Sequence, residues 1–214
     1  AERVLNGELP HRDFDDMYTG GLTFLHAAAF RYLGEDLLSL RYVLFAFSIL
    51  FCAAVYRISL RATGPVGSAV VTTLCFVWSV PNYFAGLPSW YNLFFTVFGT
   101  LAMLRFIESD RPVWLGVAGI CGGVSVVFKI TGLYFVAAVL LFLLYRVQIQ
   151  RTFPTENDQP ARTPGTWPVK CLTALITTSF AMLVWGLVSK LDLTTPYLFF
   201  FVPCAAISVA LLCN

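Results

Sequence analysis

The chain is poor in charge. Only 12% of its 214 residues are Asp, Glu, Lys or Arg, and 58% are hydrophobic; a soluble domain carries about 25% charged residues. That excludes an ordinary water-soluble domain, and hydrophobicity this high excludes a disordered chain. Paired cysteines are lacking as well. Cys52, Cys75, Cys121, Cys171, Cys204 and Cys213 stand singly inside apolar runs, which excludes a disulfide-stapled secreted domain and a zinc site and leaves them as small hydrophobes. There is no phosphate-cradling glycine loop and no nucleophile elbow. A net charge of +2 is too small for a nucleic-acid partner. No basic, cleavable leader precedes the fold; the chain opens with Ala1 rather than methionine and closes at Asn214 within a hydrophobic run, so it reads as a piece of a longer polytopic protein. What the sequence has instead is a series of long apolar segments, the mark of an integral membrane protein.

A helix rises about 1.5 Å per residue and the hydrocarbon core is about 30 Å thick, so about 20 apolar residues span it. Seven spans are expected: Leu37 to Tyr56, Val66 to Phe84, Leu93 to Phe106, Val113 to Phe128, Gly132 to Tyr145, Val169 to Ser189 and Tyr197 to Cys213. The two around Lys129 are short. The expected fold is an all-α, polytopic membrane helix bundle. An outer segment, 1–36, precedes a single membrane domain, 37–214, with 147–168 as a polar, proline-rich cytoplasmic linker.

Lys and Arg in short loops are retained on the cytoplasmic side. Arg57 and Arg61, Arg105 and Arg111, and Arg146, Arg151, Arg162 and Lys170 fall in alternate connections. The segment from Pro81 to Asn92 has no basic residue at all. It therefore belongs on the outer face, together with residues 1–36. The stretch 113–146 would be about 51 Å long as one helix, far more than the bilayer core. Its only internal charge is Lys129, followed closely by Gly132. A lysine at the bilayer centre costs at least about 2.5 kcal/mol. Two short helices joined at an outer tip of Lys129 to Gly132 avoid that cost; a lysine that merely snorkels to the headgroups is the plainer alternative. Gly116, Gly119, Gly122 and Gly123 suit close helix packing.

Seven of the twelve acids lie in the first 36 residues: Glu2, Glu8, Asp13, Asp15, Asp16, Glu35 and Asp36. They surround His11 and Arg12 and precede a stretch, Leu22 to Leu33, in which Leu22, Leu25, Ala29 and Leu33 recur at helical spacing with His26 off that stripe. An interfacial helix is expected there. A solvated acidic loop is the bland reading of the carboxylates. The uncharged loop from Val80 to Asn92 carries four aromatic residues. It reads either as an interfacial aromatic belt or as a sugar-stacking wall in which aromatic residues such as Trp90 and Tyr91 pack on the ring and Asn82, Ser89 and Asn92 donate hydrogen bonds.

The run Ala1-Glu2-Arg3-Val4-Leu5-Asn6-Gly7-Glu8-Leu9-Pro10-His11-Arg12-Asp13-Phe14, followed by Tyr18, Gly20, Gly21 and Leu22, resembles the first outer loop of GT-C glycosyltransferases. The likeness is to the bacterial branch related to protein O-mannosyltransferases and the lipid A aminoarabinose transferase. Arg41 matches an arginine at the start of the family's next span. Gly119, Gly123, Lys129 and Gly132 match its lysine hairpin. The resemblance implies sugar transfer from a polyprenyl-phosphate donor to a lipid, glycan or protein acceptor at the outer face of a bacterial inner membrane. It also implies that the family's principal base, in an Asp-Glu pair, precedes the position of Ala1. Asp13 matches a second acidic position, and Asp15 and Asp16 have weaker counterparts.

Such a reaction needs a carboxylate to take the acceptor's proton, a cation to stabilise the departing phosphate, and an apolar groove for the lipid. Asp13, Asp16 and Asp15 are the candidate carboxylates. Lys129, Arg12, His11 and Arg41 are the candidate phosphate contacts, lysine as a point charge and arginine as a fork. Tyr18, Trp90, Tyr91 and Asn92 are the candidate sugar or acceptor contacts. No metal ligand set is assigned; some relatives use a divalent cation and others do not. A membrane transporter or lipid flippase is the alternative, in which Lys129 and the acids line a substrate path.

Overall fold

The computed structural model describes residues 1–152 and the isolated positions 202, 205, 206 and 209. Among them the regular structure is helical: α1 (Glu2–Leu5), α2 (Gly21–Leu33), α3 (Leu37–Ser59), α4 (Pro65–Val77), α5 (Pro88–Ser109), α6 (Pro112–Phe128) and α7 (Leu133–Thr152), with 3-10 turns at Val80–Tyr83 and Ile130–Gly132. The expected spans Val169 to Ser189 and Tyr197 to Cys213, and the linker beyond Thr152, lie outside the described residues. The chain divides into two compact units, Ala1–Phe135 and Val136–Asn214. The first of these units holds the acidic segment together with α3 to α6.

Proline sets several helix starts. α4, α5 and α6 begin at Pro65, Pro88 and Pro112, where the missing N–H is one that the first turn leaves unpaired in any case. α5 therefore starts five residues before the expected Leu93, and Ser89 to Asn92 form its first turn rather than a loop. Asp36 caps α3 by accepting from the Leu38 amide at 3.3 Å. Three helices, Leu37–Ser59, Pro88–Ser109 and Ile130–Ile149, are long and apolar enough to cross a membrane, whereas Pro65–Val77 and Pro112–Phe128 are shorter. The second arm after Lys129 is thus full length, not short as expected. Arg146 does not stop it, because arginine is a good helix former. α4 ends ahead of the expected Phe84, where Pro81 leaves no N–H to continue the ladder.

The core of the first unit is aromatic. Leu44, Phe51, Val80, Tyr91, Phe94 and Phe128 are buried together. Tyr91 stacks on Phe128 with centroids 5.1 Å apart and meets the edge of Phe47 at 5.4 Å. Such pairs contribute about 0.5–1.5 kcal/mol each beyond the area they bury. In lipid the gain is contact rather than escape from water. Two of the small hydroxyls on the helices are paired internally, which suits a hydrocarbon surrounding: Ser48 donates to the Leu44 carbonyl at 2.7 Å and Thr100 to that of Thr96 at 2.8 Å.

At one end of the bundle Arg61, just past α3, pairs with Glu108 near the end of α5, with N–O distances of 2.5 and 3.2 Å, and Arg105 lies 3.7 Å from the same carboxylate. This gathers basic residues from two of the segments expected on the cytoplasmic side. The start of α5 and the Lys129 turn lie at the opposite end.

Candidate functional site

The turn after α6 is built from backbone. Lys129 is extended (φ −157°, ψ 135°), which breaks the helix. Its N–H still donates to the Ser125 carbonyl at 3.0 Å, and its carbonyl accepts from the Gly132 N–H at 2.9 Å. Gly132 lies so close over Ser125 that a Cβ there would come within 2.5 Å of the Ser125 hydroxyl and 2.6 Å of the Val126 nitrogen. Glycine is therefore required for the chain to double back. The expected break at Lys129 and Gly132 is where the helix ends, and the lysine sits at its rim. The Lys129 ammonium donates to the Ser89 hydroxyl at 2.9 Å, at the amino-terminal end of α5.

The acidic segment reaches the same turn. Thr19 donates to the carbonyl of Val127, and its hydroxyl also lies 3.2 Å from the carbonyl of Val126. Gly21, buried at the start of α2, packs against Val127, where a Cβ would stand 2.7 Å from Val127 Cγ1. Asp16 lies three residues before Thr19, at most about 11 Å of extended chain, and Lys129 lies two residues after Val127. The carboxylate loop and the lysine thus share one end of the bundle, closer together than the thickness of a bilayer.

The three candidate carboxylates differ in what they already hold. Asp13 accepts from Arg12 Nη2 at 2.7 Å and from the Leu9 amide at 2.7 Å. The Arg12 guanidinium and the Leu9 amide hold the Asp13 carboxyl below the usual carboxylate range, which makes it a weak base. Arg12 is held there by the same pair. Arg3 knits the loop further: it pairs with Glu8, donates to the Asp13 carbonyl at 3.2 Å and lies 4.6 Å over the Phe14 ring. Asp16 accepts from the Thr23 hydroxyl at 2.5 Å and from the Tyr18 amide at 3.1 Å, joining the loop to the first turn of α2. Asp15 is exposed and forms no hydrogen bond or ion pair among the described residues.

His11 has a left-handed backbone (φ 63°), donates its N–H to the Phe14 carbonyl at 2.8 Å, and would lie 3.9 Å from a Cβ on Gly20. It closes the turn that presents Arg12 and Asp13. The Arg41 side chain is exposed on α3 and has no hydrogen bond or ion pair among the described residues. Tyr18 is exposed beside the loop, and Trp90 packs partly against the core. Tyr91 is fully buried, so the ring expected to stack on a sugar is a core residue. The Asn92 amide faces inward, donating to Ser125 Oγ at 2.9 Å, to the Ser125 carbonyl at 3.1 Å and to the Lys129 carbonyl at 3.3 Å.

His26 also differs from expectation. It lies on the protein side of α2, one turn on from Leu22, with Nε2 buried and without a hydrogen-bond partner, against Gly86. Burial pushes its pKa down to about 4. The sequence signal was there, since positions 22, 26, 29 and 33 also follow helical spacing. Ser89 holds the lysine from the first turn of α5, a pairing that requires the helix to start at Pro88 rather than at the expected Leu93. Among the described residues no group of three His, Cys, Asp or Glu side chains is arranged to hold a metal ion.

No curated protein and no solved structure matches the chain. A family model does: dolichyl-phosphate-mannose-protein mannosyltransferase, over residues 21–157, a range that includes the Lys129 turn and the start of α5 but not the acidic loop. With its helical, membrane-spanning architecture and that match, the chain belongs to this family of GT-C membrane glycosyltransferases.

Proposed function

We propose that this protein transfers a sugar from a polyprenyl-phosphate donor to an acceptor on the outer face of a bacterial inner membrane. The observation that carries the reading is the junction of Thr19 and Gly21 with Val127, which sets an acid-rich loop beside a lysine held at a helix start. The acceptor's oxygen or nitrogen attacks the anomeric carbon from the face opposite the phosphate. As that bond forms, the bond from the anomeric carbon to the phosphate oxygen breaks, and the configuration inverts. The acceptor's proton passes to a carboxylate, and polyprenyl phosphate departs.

Lys129 is the cation for the departing phosphate, a charge stabilised where it develops. The Ser89 hydroxyl, which accepts from Lys129, retains its own proton to donate to a phosphate oxygen. Asp13 and Asp16 shape the loop. Asp15 is the carboxylate left open, available beside the principal base that the family resemblance places before Ala1. The acceptor is a lipid, glycan or protein hydroxyl or amine. The experiment is transfer of a radiolabelled sugar from its polyprenyl phosphate by the full-length protein in vesicles. The reading expects lipid-phosphate-dependent transfer that Lys129→Ala impairs. Movement of intact donor across the vesicle membrane without transfer would instead establish a flippase.

A further inference from the structure

α5 is a spanning helix, yet Ser89, Asn92 and Thr96 place a polar stripe on one of its faces at the spacing of successive turns. Polar side chains at this depth are costly unless they are partnered, and all three are partnered by the α6 tail and the Lys129 turn. Ser89 takes the ammonium of Lys129. Asn92, one turn further on, takes the lysine's backbone carbonyl and both oxygens of Ser125, which is fully buried. Thr96 Oγ1 lies 3.4 Å from the Ser125 hydroxyl. Two carbonyl acceptors fix the orientation of the Asn92 amide, because only its nitrogen can face them.

We infer that Asn92 is a positioning residue that acts through Lys129, and not a sugar contact. It holds the backbone from which the lysine side chain projects, while Ser89, three residues earlier on the same face, receives the other end of that side chain. The two together fix where the ammonium stands. This inference rests on the proposed reading of Lys129 as the cation for the donor phosphate. Asparagine is specifically suited: aspartate at 92 has the same shape but presents oxygen to two carbonyls and can donate to neither.

The test is a double-mutant cycle in the full-length enzyme, with a polyprenyl-phosphate sugar as the varied substrate. Asn92→Ala and Asn92→Asp are each expected to raise the donor KM about tenfold, with kcat changed less. In a Lys129→Ala background Asn92→Ala is expected to add less than a further twofold, since residues acting as a unit are not additive. Independent, multiplying effects of the two changes would overturn the positioning role while leaving Lys129 as a donor contact. An unchanged donor KM in Asn92→Asp would overturn it as well. An unchanged donor KM in Lys129→Ala would instead overturn the reading of the lysine, and this inference with it. Where Asn92→Ala does not yield folded protein, Asn92→Ser carries the same cycle.

Discussion

The hydroxyl of Thr19 donates to the backbone carbonyl of Val127, two residues before Lys129. Residues more than a hundred positions apart are joined there, and the bond ties the acid-rich segment to the turn that carries the lysine. Val127 has this carbonyl available because α6 stops at Phe128 and its last carbonyls have no helical partner. The end of one helix thus supplies the attachment point for the loop.

Gly21→Ala should separate loop from turn. The added methyl meets the Val127 backbone, which cannot rotate away as a flexible side chain could. Overpacking of this kind costs about 1–3 kcal/mol. Thr19→Val should cost about 1 kcal/mol, a single net hydrogen bond. Thermal unfolding in detergent checks both, and Gly21→Ala should be the less stable.

Lys129→Ala should raise the KM for a polyprenyl-phosphate donor by about 10- to 100-fold, the worth of one charged hydrogen bond. Lys129→Arg should recover part of the loss, since charge returns but the point-charge geometry does not. Initial rates against donor concentration decide it.

The loop carboxylates should separate by substitution. Asp15→Asn should lower kcat at least about tenfold, as loss of a proton acceptor does. Asp13→Asn should change it less than about threefold, because this carboxylate is already committed to Arg12 and the Leu9 amide. Equal loss in both variants would remove Asp15 from its assigned role.

His26 should make stability depend on pH. Its pKa is about 6.5 in an unfolded chain and about 4 in the folded protein. The neutral imidazole is thus the form the fold prefers. Its contribution is fully present above about pH 6.5 and is lost as pH falls from there towards 4. The unfolding temperature of the wild type should drop across that window relative to His26→Leu, which lacks the buried imidazole.

Much of the helical architecture was legible in the sequence, and the partnering of side chains was not. The break at Lys129 was readable because one charge in a long apolar run can have few comfortable positions. Pro88 marked the start of α5 by the same rule that Pro65 and Pro112 follow, yet the aromatic residues around it read as loop. Tyr91 was misplaced for that reason: on a helix its ring turns into the core against Phe128. The commitment of Asp13 to Arg12 and of Asp16 to Thr23 depends on how a short loop folds over α2, which residue order alone does not determine. His26 shares helical spacing with Leu22 and Ala29, and its burial depends on the loop around Gly86 packing over it.

Cross-linking in the full-length protein examines the junction itself. With cysteines at Tyr18 and Val127, both exposed, the hydrogen bond from the neighbouring Thr19 places the two backbones about 10 Å apart. A bifunctional maleimide of about that reach should link them efficiently in intact membranes. No linkage, with a membrane-impermeant reagent labelling the two sites from opposite sides, would contradict the account.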